Sequence, residues 1–266
     1  MNPIIKYLCL SIISISISNY ASAGENNYNS IFSGIWQTIE NDHKEFYSRN
    51  RLLRMAGSIG VGAALANTSA GESFQNWYQD DVRSKGTNDF SDVTKNFGEY
   101  KYILPSIITA TVVNTLLQDY FDDSFAGDWG KRTMRAYILG TPVLWASQRV
   151  IGASRPKENR GSNWRPFDDS NGASGHAFAG AVPFLTLARM NDDNKFLKYV
   201  FYAASTLTAL SRINDGSHYL SQSAIGWYLA WEATDTISDR ERKERLVTMN
   251  PMMIPDGYGI QVGMIW

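Results

Sequence analysis

The sequence predicts a mainly α-helical bundle with a short β segment at its C-terminus. Two observations carry this reading. Apolar residues recur at helical rather than alternating spacing through Tyr102–Tyr120, Lys131–Ile151, Ser174–Met190, Lys195–Ser211 and Ser221–Leu246. Turn-forming groups separate these segments: Asp122-Asp123 with Gly127 and Gly130, then Asn191-Asp192-Asp193-Asn194, then Asn214-Asp215-Gly216. No internal repeat is visible, and no alternating run demands a sheet.

The elements follow in chain order. Lys6 precedes an apolar stretch, Tyr7–Ile17, and then the small residues Ala21-Ser22-Ala23. That order fits a secretory signal peptide over residues 1–23 and an exported protein of the periplasm or cell envelope. The stretch is shorter than the ~17 residues of a spanning helix. Cys9 lies within it, so a chain cut after Ala23 has no cysteine and relies on packing alone. Residues 24–96 form an N-terminal helical region. Its start, Gly24–Ser30, is Asn-rich and reads as flexible; Arg51–Asn67 reads as an apolar helix with a basic start. Thr68–Asn96 is polar connecting structure with short helical pieces. Residues 97–238 hold the longer helices and form the catalytic core. Residues 239–266 begin with a charged helix end, Asp239–Arg245. Pro251, Pro255 and Asp256-Gly257 then stop the helix, and Tyr258–Trp266 is expected as a strand of a hairpin packed on the bundle.

Composition excludes several functions. Of 266 residues 44% are apolar, enough for a sizeable core, and 19% are charged, too few for a disordered or coiled-coil chain. A net charge of −1 argues against a surface that covers nucleic acid. No Cys/His cluster has zinc-ligand spacing, and no metal or other cofactor is expected. Apolar runs carry Asn114, Gln148 and Arg149, and mean hydropathy is −0.28. These favour a soluble bundle or one at a membrane surface, with an integral membrane protein as the alternative.

Three segments carry chemistry. In Gln148-Arg-Val-Ile-Gly152-Ala-Ser-Arg155-Pro156 a helix ends near Gly152, and Arg155 offers a planar fork suited to phosphate oxygens. In Asn171-Gly-Ala-Ser174-Gly175-His176, Ser174 reads as a helix N-cap. The first turn it opens has unpaired N–H donors for an anion, and His176 there is a proton donor. In Ser211-Arg212-Ile-Asn-Asp-Gly-Ser-His218-Tyr-Leu-Ser-Gln222, His218 opens the next helix. Gln222 then lies at i+4, where its amide oxygen accepts from the ring and fixes its tautomer. His176 and His218 are two of only three histidines; the third is His43.

At these residues the chain resembles the type 2 phosphatidic acid phosphatase / vanadium haloperoxidase superfamily. The family pattern is Lys-x6-Arg-Pro, Ser-Gly-His and Ser-Arg-x5-His-x3-Asp. The chain matches it at Arg155-Pro156, Ser174-Gly175-His176, and Ser211, Arg212 and His218. The resemblance implies a helical bundle of that type and a phosphatase acting through phosphohistidine. His218 is then the nucleophile and His176 the general acid. Arg155, Arg212, Ser174 and Gly175 hold the phosphoryl oxygens. The substrate is a phosphorylated small molecule or a lipid phosphate, and no metal is needed. Two positions depart from the pattern: Gln148 replaces the lysine and Gln222 the aspartate. Arg149, Lys157, Arg160 or Arg165 are candidates to supply the lost charge, and Asp215 is a candidate substitute carboxylate. The departures motivate an alternative, a catalytically silent anion-binding envelope protein, and the family a further one, a vanadium-dependent haloperoxidase.

Overall fold

The computed structural model describes residues 25–117, 124–254 and 257–264; the expected signal segment lies outside them. The chain divides into two compact units, Met1–Lys44 and Glu45–Trp266. In chain order the helices are α1 (Glu25–Phe46), α2 (Arg49–Ala66), α3 (Ser69–Trp77), α4 (Lys85–Thr94) and α5 (Tyr100–Leu117). They continue with α6 (Phe125–Ile151), α7 (Gly175–Met190), α8 (Lys195–Ser205), α9 (Leu207–Asn214) and α10 (Leu220–Leu246). A single π turn, Tyr78–Val82, follows α3, and 3-10 turns cover Lys95–Gly98 and Pro156–Glu158. Two strands, β1 (Val247–Ile254) and β2 (Gly257–Met264), pair antiparallel with Val247 opposite Met264.

Local chemistry starts α7 and α8 where the sequence expects, whereas α6 starts at Phe125, six residues before the expected Lys131, so Gly127 and Gly130 lie buried inside the helix and do not separate it from its neighbour. The Ser124 side chain accepts from the Gly127 N–H at α6, Ser174 from the Ala177 N–H at α7, and Asn194 from the Leu197 N–H at α8. In the second unit α10 packs along α7, α6 and α2. Leu139 and Leu144 of α6, Phe178 and Leu185 of α7, and Ile225 and Leu229 of α10 form a fully buried core. A buried ion network ties α2 to α10. Arg51, 3% exposed, reaches Glu232 at 3.2 Å, Asp235 at 2.9 Å and Asp239 at 2.6 Å. Arg189 of α7 joins it through Asp235 at 2.6 Å and stacks over the Trp231 ring.

Four further expectations need correcting. From Glu25 the Asn-rich start is the first turn of α1, because the apolar residues that follow it keep helical spacing. Lys195–Ser211 is two helices broken at Thr206, a β-branched residue of low helix propensity. Pro251 does not stop a helix; α10 ends at Leu246, and Pro251 lies in β1 of a two-stranded sheet, where an edge tolerates it. His218 precedes α10 by two residues instead of opening it. The strand expected from Tyr258 is β2; the side chains of the hairpin lie outside the described residues. Among those residues no helix is long and apolar enough to cross a membrane.

Candidate active site

The ends of four helices converge on one place. The last turn of α6 carries Gln148, and the irregular chain after it carries Ser154 and Arg155. The first turn of α7 contributes Ser174, Gly175 and His176, the end of α9 contributes Arg212, and the approach to α10 contributes His218 and Gln222. Two features press α7 onto α10. The Ser174 N–H donates to the Gln222 carbonyl at 2.9 Å. A Cβ at Gly226 would lie 2.3 Å from the Ser174 carbonyl oxygen, so only glycine permits the crossing.

His218 is 4% exposed, and its N–H donates to the Arg212 carbonyl at 3.1 Å, which winds its loop onto the end of α9. The i+4 contact with Gln222 forms although His218 is outside the helix: Nδ1 lies 2.9 Å from Gln222 Oε1. The surrounding bonds orient the amide. Gln222 Nε2 donates to the Ser154 carbonyl at 2.7 Å, and Oε1 also accepts the Tyr219 N–H at 2.9 Å. Oε1 therefore faces the ring as an acceptor, Nδ1 carries the proton, and Nε2 keeps its lone pair. Burial pushes the His218 pKa down to about 3, against the Gln222 hydrogen bond and with help from Arg212, Arg155 and His176. The ring is neutral near pH 7.

Arg212 lies beside it. Its Nε is buried and has no hydrogen-bond partner, while Nη1 stands 3.8 Å from Asp215. A buried guanidinium N–H without an acceptor is a seat for an anion's oxygen. Asp215 accepts from the Ser91 hydroxyl at 2.7 Å and faces Arg212; it does not substitute for the missing carboxylate behind His218, where Gln222 stands. Arg155 donates through Nε to Asn171 at 2.9 Å, and Asn171 donates to Asp169, which fixes the guanidinium.

The Ser174 hydroxyl, fully buried, caps α7. Gln148 reaches the same turn: its Nε2 donates to the Ala173 carbonyl at 3.2 Å and lies 3.3 Å from the Cβ position of Gly175. Of the four candidate replacement cations, Arg160 is paired with Glu158 and Asp169, and Arg165 donates to the Arg160 carbonyl. Arg149 is exposed on α6. The Lys157 stem lies 3.8 Å from the Cβ position of Gly216, beside the loop that carries His218. His43 belongs to α1, with Nδ1 2.8 Å from the Ile39 carbonyl.

His176 is half-exposed, with Nε2 3.2 Å from Glu99 Oε1. Burial and the cations Arg212 and Arg155 lower its pKa, and Glu99 works against them. Sequence reasoning missed Glu99, Ser154 and the role of Asn171. Asn171 stands inside a quoted motif and Ser154 adjoins Arg155, whereas Glu99 is 77 positions from its partner and carries no local signal. Among the described residues no group of three or more His, Cys, Asp or Glu is placed to hold a metal ion.

The PAP2 superfamily profile matches residues 99–234, just over half of the chain. The chain belongs to the PAP2 superfamily. A PAP2 protein of solved structure, described as the first transmembrane PAP2-type phosphatidylglycerolphosphate phosphatase from Bacillus subtilis, shares the fold with a TM-score of 0.56. Its sequence is 15% identical, and the similarity covers 72% of this chain and 96% of that one. No curated protein sequence matches. The PAP2 match spans every site residue named above, and its first residue is Glu99.

Proposed function

We propose that this protein is a phosphatase that hydrolyses phosphomonoesters, lipid phosphates among them, through a phosphohistidine intermediate. The observation that carries the reading is the His218–Gln222–Ser154 chain of hydrogen bonds, which leaves His218 Nε2 unprotonated among Arg155, Arg212 and the α7 N-terminus. A buried neutral imidazole of this kind is an activated nucleophile.

The steps follow from that arrangement. His218 Nε2 attacks phosphorus, and the P–O bond to the leaving group breaks with its electron pair going to oxygen. His176 gives that oxygen a proton. Arg212, Arg155 and the Gly175 N–H take up the charge of the phosphoryl oxygens. Water, losing a proton to His176, then attacks phosphorus; the P–N bond breaks and phosphate departs. The Nδ1 proton stays on His218 throughout, held by Gln222.

Phosphate release from a panel of lipid and soluble phosphomonoesters tests the assignment. The full chain should release phosphate, and His218→Ala should abolish it. His176→Ala should lower it by about 10²-fold or more on unactivated esters. Variants as active as the parent would refute the mechanism, and an inactive parent would favour a silent anion-binding protein. The N-terminal residue of the purified protein tests export, with Gly24 expected after signal removal.

A further inference from the structure

We propose that Glu99 is a positioning residue for the general acid: its carboxylate holds the His176 ring and keeps it protonated until the leaving oxygen takes that proton. This rests on the phosphatase reading above.

The contact is built by the fold. Glu99 sits between the 3-10 turn Lys95–Gly98 and the first turn of α5. Its N–H donates to the Asn96 carbonyl at 3.1 Å, and its own carbonyl accepts from Tyr102 and Ile103 at 3.0 and 3.2 Å. The backbone of Glu99 is thereby fixed at both ends. Its neighbour Gly98 lies flush against the first turn of α7: a Cβ there would stand 2.6 Å from the His176 carbonyl oxygen and 2.6 Å from Thr208. Only a glycine lets the chain approach so closely, and that approach brings the Glu99 carboxylate to 3.2 Å from His176 Nε2.

The chemistry needs such a partner. The same pocket that binds phosphate surrounds His176 with Arg212 and Arg155, with the neutral His218 nearby; both cations disfavour an imidazolium. Of the charged side chains that act most on His176 among the described residues, Arg212 and Arg155 lower its pKa and Glu99 raises it. A general acid that is uncharged at working pH has no proton to give. Glu99 works against the burial and the arginines that lower the His176 pKa, and when the P–O bond breaks the proton passes to the departing alcohol from His176 Nδ1, the ring nitrogen that Glu99 does not engage. The carboxylate keeps its own charge, and the ring regains a proton from the attacking water in the second step.

The test separates this role from simple structural support. Glu99→Gln keeps shape and removes charge. On an alkyl phosphate, whose alkoxide leaves poorly, turnover near pH 7 should fall by about 10- to 100-fold, and the alkaline limb of the pH profile should move to lower pH. On para-nitrophenyl phosphate, whose phenolate leaves without a proton, turnover should stay within about threefold of the parent. Equal losses on both substrates, or an unmoved alkaline limb, would overturn the proposal. Glu99→Asp, which restores the charge on a shorter arm, should recover part of the alkyl activity. An NMR titration of His176 in parent and Glu99→Gln provides a readout independent of turnover: its pKa should drop in the variant, and an unchanged value would overturn the proposal. A parent that hydrolyses neither phosphate would instead sink the phosphatase reading, with the titration still deciding the Glu99 contact.

Discussion

At the residue scale the informative position is Gln222. A carboxylate would accept from the His218 ring and the Tyr219 N–H equally well, but it has no proton for the Ser154 carbonyl. The amide serves all three at 2.9, 2.9 and 2.7 Å. Gln222→Glu should therefore set a buried carboxylate oxygen against the Ser154 carbonyl and cost about 1–3 kcal/mol at neutral pH. Burial and that facing oxygen raise the folded-state pKa of the new carboxyl above its unfolded value of about 4.3. The variant should match the parent most nearly below that unfolded value and lose ground as pH rises through the folded one. Melting midpoints of parent and variant near pH 5 and pH 8 check this; a gap that does not change with pH would contradict it. The sequence placed Gln222 beside His218 through i+4 spacing. It gave no hint of Ser154, because that bond spans 68 positions and depends on how the chain returns after α6.

At the element scale the site depends on how closely α7 crosses α10. The motif residues were legible because each stands at a helix end, where capping chemistry and punctuation are written locally. What brings the ends together is not local. Gly226 lies in the middle of a helical pattern, and nothing around it in the sequence marks it as the seat of the Ser174 turn. Gly226→Ala should force the helices apart, cost about 1–3 kcal/mol of stability and weaken phosphate binding together with turnover. Denaturant unfolding and inorganic phosphate titration measure both; an alanine tolerated in each would show that the crossing has slack. The same limit explains the misread ends of the bundle. Asn-rich composition hid the helical spacing of α1, and the break at Thr206 is one residue in an otherwise apolar helical pattern.

At the scale of the whole molecule, the fold spends stability on burying His218, the proposed nucleophile. His218 is held neutral, with a pKa near 3 against 6.5 for a free imidazole. The unfolded chain therefore binds a proton that the folded one refuses between those values. Stability should fall as pH drops below about 6.5, with a contribution from this residue of up to about 1.4 kcal/mol per pH unit until about pH 3. His218→Asn should flatten that part of the stability curve, and parallel curves for parent and variant would argue against a buried neutral ring. The bundle itself was predictable in outline from helical periodicity, because long amphipathic segments need only one another to bury their apolar faces. Of the proposed acid pair only His176 was legible; Glu99, at the start of the segment read as the core, belongs to no motif and lies 77 positions from its partner.

On the proposed phosphohistidine mechanism, the neutral amide behind His218 also bears on the tempo of the reaction. Once phosphorylated at Nε2 and still protonated at Nδ1, the ring is a cation, and Gln222 gives it a dipole in place of a counter-ion. Such an intermediate is a high-energy phosphoryl donor that discharges quickly to water. On that mechanism its formation, not its decay, is expected to govern turnover, and substrates that share one intermediate should keep different maximal rates, ordered by the acidity of the alcohol they release.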